Sequence, residues 1–302
     1  MMTVRTCALF LAATFALTGS VRAGDRATIN RRTGLYELPI TDLRKAAERG
    51  DRVELARVAA RLGPARISKA LQDLDRRTVL AALDGAALLT SGILLLESIA
   101  PLLASTDESI RAHAVGAAAA LLVASDDVRL ADWEVAGETV QATCQALALS
   151  AANESEPLST RLLAVQGLAE APSCAAARKP ALLLASREPE IRRAAVVGLL
   201  SSSASVETLV AAAQDRDAGV AAAAGARLCE RHGKGQPLPT TPLLRKLALA
   251  QAALPEDVIA MLPCLVAAAD PADRKAVEEL QSSGTTAVRE AIKRLEEKSG
   301  SH

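Results

Sequence analysis

From Thr41 onward the chain is a succession of apolar-periodic stretches cut by short runs of Gly, Pro, Ser and Asp. In Arg52-Val53-Glu54-Leu55-Ala56-Arg57-Val58-Ala59 the apolar side chains recur at spacings of three and four, the signature of one buried helical face. Asp51, Asp75 and Asp107 each stand just before such a stretch, where a carboxylate accepts from the free N–H groups of a first turn, and Pro64 suits an opening turn. The pattern predicts helices of about 10 to 16 residues joined by turns of about two to five, too short for a coiled coil. Residues 24–39 are polar and aperiodic and read as an extended leader.

The first residues follow a different logic. Met1 to Thr6 carries Arg5 and no acid, and Cys7 to Leu17 is an apolar run of eleven residues. Thr18-Gly19-Ser20 breaks it, and Val21-Arg22-Ala23 places short side chains at −3 and −1 of a cut between Ala23 and Gly24. This is the order of a secretory signal peptide. A membrane anchor fits less well, because eleven helical residues rise about 16 Å against a hydrocarbon core of about 30 Å. A lipoprotein would need a cysteine at the cut, and Cys7 is far upstream. Residues 1–23 are therefore expected to be removed, leaving a periplasmic or secreted product with no membrane span.

Self-similarity is the strongest signal. Arg161-Leu-Leu-Ala164-Val165-Gln-Gly167-Leu168 and Arg192-Arg-Ala-Ala195-Val196-Val-Gly198-Leu199 share one pattern, and Arg111-Ala-His-Ala114-Val115 matches its first half. Weaker copies begin at Asp75 and Asp217. With Val79, Arg111, Arg161, Arg192 and Ala221 as equivalent positions, the steps are 32, 50, 31 and 29 residues, the long one holding an extra segment, 125–137. A unit of about 30 residues is one helical hairpin, and a hairpin with an exposed apolar face buries it by stacking on the next. The expected architecture is all-α, an α-solenoid or superhelix of stacked antiparallel hairpins over residues 40–231. A linker at 232–240 and C-terminal repeats with a cap over 241–302 complete it. In that arrangement the small residues Ala114, Ala164 and Ala195 allow close helix approach, and Gly167 and Gly198 relieve crowding where a neighbour crosses. Arg111, Arg161 and Arg192 are placed to bond the adjacent unit, forming a ladder. Val288, Ile292 and Leu295 form a single apolar stripe in a charged final segment, the pattern of a C-terminal cap.

At these residues the chain resembles the HEAT-repeat family, in its short bacterial, phycobilisome-lyase-like form. The resemblance covers about 75–231 and departs from the family pattern at Ala221, where the arginine is lost, and at Arg227, where a small residue is usual. It implies protein–protein scaffolding. It also raises an alternative, a HEAT-like lyase or hydrolase with an unidentified active site.

Composition narrows the choice. The sequence holds 65 Ala and 45 Leu beside one Trp, one Tyr and two Phe, a helical composition that disfavours sandwiches, barrels and dinucleotide-binding folds. Phe10 and Phe15 leave with the signal, so the mature chain keeps Tyr36 and Trp133 as its aromatics. Near-neutral charge and missing aromatics argue against nucleic-acid binding. Charge is nonetheless uneven: residues 80–160 carry 2 basic and 11 acidic side chains. Asp126, Asp127, Asp132 and Glu134 surround Trp133 in the extra segment, a candidate contact for a basic partner, or a solvated loop with the indole tucked into the stack.

No cofactor or metal site is expected. His113, His232 and His302 lack metal-ligand spacing, no His-Glu dipeptide or G-x-S-x-G occurs, and the acidic run lacks the spacing of a calcium loop. Cys144, Cys174, Cys229 and Cys264 allow three pairings. Separations of 30 and 35 residues would let Cys144–Cys174 and Cys229–Cys264 each staple neighbouring hairpins in an oxidising compartment. Four buried thiols acting as small apolar fillers is the other reading.

Overall fold

The computed structural model describes residues 28–29, 36–37, 40–125, 135–203, 205–232, 241–250, 253–267 and 270–299. The chain divides into Met1–Pro39 and Ile40–His302. The expected signal sequence and its cut at Ala23 and Gly24 lie outside the described residues. In the first unit Thr28–Ile29 and Tyr36–Glu37 pair antiparallel, Thr28 opposite Glu37 and Ile29 opposite Tyr36, so the leader contains a minimal ladder.

The second unit is all-α. Its first helices are α1 (Ile40–Glu48), α2 (Arg52–Leu71), α3 (Arg76–Ala86) and α4 (Leu96–Ile99), the last flanked by 3-10 turns at Gly92–Leu95 and Ala100–Ala104. Then come α5 (Glu108–Ala124), α6 (Gly137–Ala152) and α7 (Leu158–Glu170), a 3-10 segment at Pro172–Ala177, and α8 (Pro180–Leu184). The remainder is α9 (Pro189–Ser203), α10 (Val206–Ala212), α11 (Ala218–His232), α12 (Thr241–Ala248), α13 (Pro255–Ala267), α14 (Pro271–Ser283) and α15 (Thr286–Ser299).

Local chemistry sets the boundaries. The carboxylates of Asp51, Asp75 and Asp107 accept from Glu54 N, Arg77 N, and Ser109 N and Ile110 N, capping α2, α3 and α5 as their positions predict. Inside α2, Gly63 takes φ +71°, a conformation that costs glycine little, and Pro64 restarts the helix from there.

Packing follows chain order in two rows. The odd helices form one: α1 packs on α3, α3 on α5, and so on through α7, α9, α11 and α13 to α15. Even-numbered elements back them, α2 against α1 and α3, α6 against α5 and α7, α12 against α11 and α13. Leu43, Leu83, Leu121, Leu122, Leu168, Ile191 and Leu199 are fully buried in the odd row, so each helix hides its apolar face against its neighbours. Each such leucine contributes about 1.5–3 kcal/mol by leaving water. Helices on both sides of 233–240 share one core running from Val196 to Ile292, so this linker joins parts of a continuous stack. Val288 and Ile292 close that core at α15.

The equivalence inferred from the repeat is geometrically real. Val79, Arg111, Arg161, Arg192 and Ala221 each donate their backbone N–H to the carbonyl four residues earlier, that of Asp75, Asp107, Pro157, Glu188 and Asp217, so all five occupy the same place in their helices. The crossings repeat as well. A Cβ on Gly167 would lie 2.6 Å from Ala119 Cβ, and one on Gly198 would lie 2.5 Å from Ala169 Cβ. Ala119 and Ala169 are each eight residues past the repeat arginine, and the glycines each six past theirs. The same pair of positions touches in consecutive units, and glycine is what the closeness demands.

Candidate functional site

Two features stand out in the stack: a polar ladder between repeats and a groove on the odd-helix face.

Among the described residues the ladder has five rungs, each an arginine on one odd helix reaching the turn or cap at the start of the next. Arg44 Nη1 lies 2.9 Å from Asp75 Oδ2 and Arg76 Nε lies 2.6 Å from Asp107 Oδ2. Arg111 Nε donates to Glu156 Oε1, and its Nη1 to Ser105 O. Arg161, 3% exposed, donates from Nε to Ala151 O and from Nη2 to Ser186 Oγ, a hydroxyl standing where its neighbours have a carboxylate. Arg192, 4% exposed, forks onto Asp215 at 2.8 and 2.9 Å and also donates to Ser186 O and Arg187 O. Fork geometry of this kind is what guanidinium does better than ammonium. Sequence reasoning found Arg111, Arg161 and Arg192; it missed Arg44 and Arg76, which come from weaker copies, and the acceptors Glu156 and Asp215. The ladder ends where Ala221 replaces arginine. Beyond it Arg193 Nη2 donates to Asp257 and Arg245 Nη1 to the fully buried Asp273.

Charge states follow the contacts. The Arg76 hydrogen bond, with the α5 cap N–H groups, holds the Asp107 carboxyl below its ordinary range. Burial pushes Asp215 upward, but the Arg192 fork and the Asp217 N–H outweigh it and the net shift is down. Asp257 goes the other way, because burial outweighs Arg193.

Both cysteine pairs are joined. Cys144 on α6 bonds Cys174 in the 3-10 segment before α8, and Cys229 on α11 bonds Cys264 on α13. Their Cα atoms are 5.2 and 5.8 Å apart, and each bridge links consecutive repeats.

The groove lies on the solvent side of the odd row. A hollow of about 430 Å³ runs between α3, α5 and the first turn of α7, and a second of about 500 Å³ lies against α1. They meet at Asp84 and His113, which line both. His113 Nδ1 stands 3.6 Å from Asp84 Oδ1, an ion pair when the imidazole is protonated. Burial raises the Asp84 pKa, with His113 and Arg52 opposing it more weakly. Ala112, Gly116, Ala117 and Leu163 supply an apolar floor and wall, and Leu163 remains 42% exposed. Sequence reasoning placed His113 on a helix but not beside Asp84. The repeat register holds the signal: Asp84 is five residues past Val79 and His113 two past Arg111, within one turn of each other on adjacent equivalent helices.

Trp133, Asp126, Asp127, Asp132 and Glu134 lie outside the described residues. Among the described residues no three or more His, Cys, Asp or Glu side chains gather where a metal could be held, and no helix is long and apolar enough to cross a membrane.

No protein-family model and no curated protein matches the chain.

Proposed function

We propose that this chain is an exported, non-enzymatic helical-repeat scaffold, of HEAT-like construction, that binds a protein partner along its repeat surface in the periplasm or outside the cell. The observation that carries this reading is the pair of adjoining hollows along α1, α3, α5 and α7, which share Asp84 and His113 and which an extended partner can follow. Disulfides between repeats suit an oxidising compartment, and the hydrophobic run ahead of Ala23 suits export to one. Affinity capture with the chain from Gly24 onward, from the exporting cell's envelope and medium, should return a stoichiometric protein, and the purified mature chain should begin at Gly24. A chain that keeps residues 1–23 and recovers no partner would contradict the proposal.

A hydrolase remains the second reading because of one observation. Ser109 lies one turn before His113 and lines the same hollow as the Asp84–His113 pair. No hydrogen bond joins Ser109 Oγ to His113 in the described structure, so the hydroxyl is not engaged by a base. Turnover of p-nitrophenyl acetate that disappears in both Ser109→Ala and His113→Gln would favour this reading over the scaffold.

A further inference from the structure

The geometry points to the hollow between α3, α5 and α7 as the seat of a lysine or arginine side chain presented by an extended segment of the partner. This rests on the scaffold reading and gives it a site and a chemistry.

Three observations converge. Among the described residues the ionisable groups lining this hollow are Asp84, Glu108 and His113, with no lysine or arginine. Asp84 and Glu108 give that lining a net negative formal charge, which favours a cation. The floor is made of side chains too short to fill it: the nearest atom to a Cβ added at Gly116 is Leu163 Cδ1 at 3.7 Å, and Ala112 and Ala117 flank it. The hollow thus combines a partly desolvated carboxylate with an apolar trough leading to it. That is the complement of an amphipathic basic side chain, whose methylene stem lies on apolar surface while its head meets a charge. An acidic partner residue would face Asp84 and Glu108 in the same space. A purely apolar one would bury Asp84 further without adding a partner for its charge.

The adjoining hollow sets the polarity of the segment. Arg44 and Glu48 of α1 line it together with Arg77 in the first turn of α3. The basic residue therefore occupies the α5 side of Asp84, and the segment continues toward α1 with neutral or acidic residues.

The test pans a random dodecapeptide library against the full mature chain. Recovered peptides are then measured by fluorescence anisotropy on the parent, Asp84→Asn, Gly116→Leu and Leu149→Ser, the last an exposed residue of the even row. The expected result is peptides with lysine or arginine at one fixed position. Their affinity should fall about tenfold or more in Asp84→Asn and in Gly116→Leu, fall similarly when norleucine replaces the basic residue, and stay unchanged in Leu149→Ser. Asp84→Asn is nearly isosteric and keeps the test decisive if Gly116→Leu disturbs α5. Peptides that lack a basic position, or that bind both groove variants like the parent, overturn the inference while leaving a scaffold that binds elsewhere. Recovery of no peptide also overturns it, and the capture experiment then decides the scaffold reading separately.

Discussion

Alanine should have opposite effects at two helical glycines of this chain. A Cβ at Gly198 would sit 2.5 Å from Ala169 Cβ, whereas carbon atoms in comfortable contact are about 3.5–4.0 Å apart. Helices α7 and α9 must then separate by about 1 Å or tilt, and overpacking of this kind costs about 1–3 kcal/mol. Alanine's helix preference over glycine returns about 1 kcal/mol. Gly198→Ala should therefore destabilise by up to about 2 kcal/mol net. Gly116 is also mid-helix, but a methyl there meets nothing closer than Leu163 Cδ1 at 3.7 Å. Gly116→Ala should stabilise by up to about 1 kcal/mol. Urea unfolding measures both, and thermal midpoints should move in opposite directions by about 2–4 °C per kcal/mol at this chain length. Adding Ala169→Gly to Gly198→Ala should relieve the clash, with a coupling energy of about 1 kcal/mol or more in the double-mutant cycle. Stabilisation by both glycine replacements, or no coupling to Ala169, would refute the close crossing of consecutive repeats.

The ladder and the staples give further expectations. Arg192→Ala should cost about 3–5 kcal/mol, because it strands the Asp215 carboxylate beside two unpaired carbonyls; a loss under about 1 kcal/mol by urea unfolding would contradict its role as an interlock. Replacing Cys144 and Cys174, or Cys229 and Cys264, by serine should cost about 3–4 kcal/mol per pair, the entropy of opening loops of that length, read as an earlier denaturation midpoint. On acidification the lowered carboxyls Asp75, Asp107 and Asp215 contribute stability that is present above their unfolded pKa and lost as pH falls through the folded values, so the chain should weaken below about pH 4. Asp84 and Asp257, raised in the fold, act oppositely: they cost stability as pH rises through their folded values and soften the acid limb. Asp215→Asn should flatten the acid limb and Asp257→Asn should steepen it, both measurable as denaturation midpoint against pH.

Much of the fold was legible in the sequence because its signals are local or periodic. Aspartates at 51, 75 and 107 cap the helices they precede, since an N-cap needs only the residue and the turn that follows. The spacing between Arg111, Arg161 and Arg192 fixed the register of the stack, because a stacking contact must recur once per hairpin. The acceptors were harder. Glu156, Ser186 and Asp215 share no residue type, only a place in the turn ahead of the next odd helix, which becomes visible when the turns are aligned. Of the groove, only the Asp84–His113 pairing was implicit in the repeat register. The groove itself arises where short side chains on α5 meet Asp84 from the preceding unit, and no motif marks a space left unfilled. The second row is similarly opaque around Pro101 and Pro172, where proline replaces a long even helix with 3-10 turns.

If each hairpin packs on its neighbours alone, one can be removed. Deleting residues 186–214, a full 29-residue unit, joins Ala185 to Asp215 and brings Asp215 to the place where Ser186 receives Arg161. The repeat account predicts a shorter chain that stays helical by circular dichroism and unfolds in urea in one cooperative transition, with Arg161 now paired to a carboxylate. A deletion product that loses its helical signal, or melts without cooperativity, would show that the core is a single non-repeating bundle.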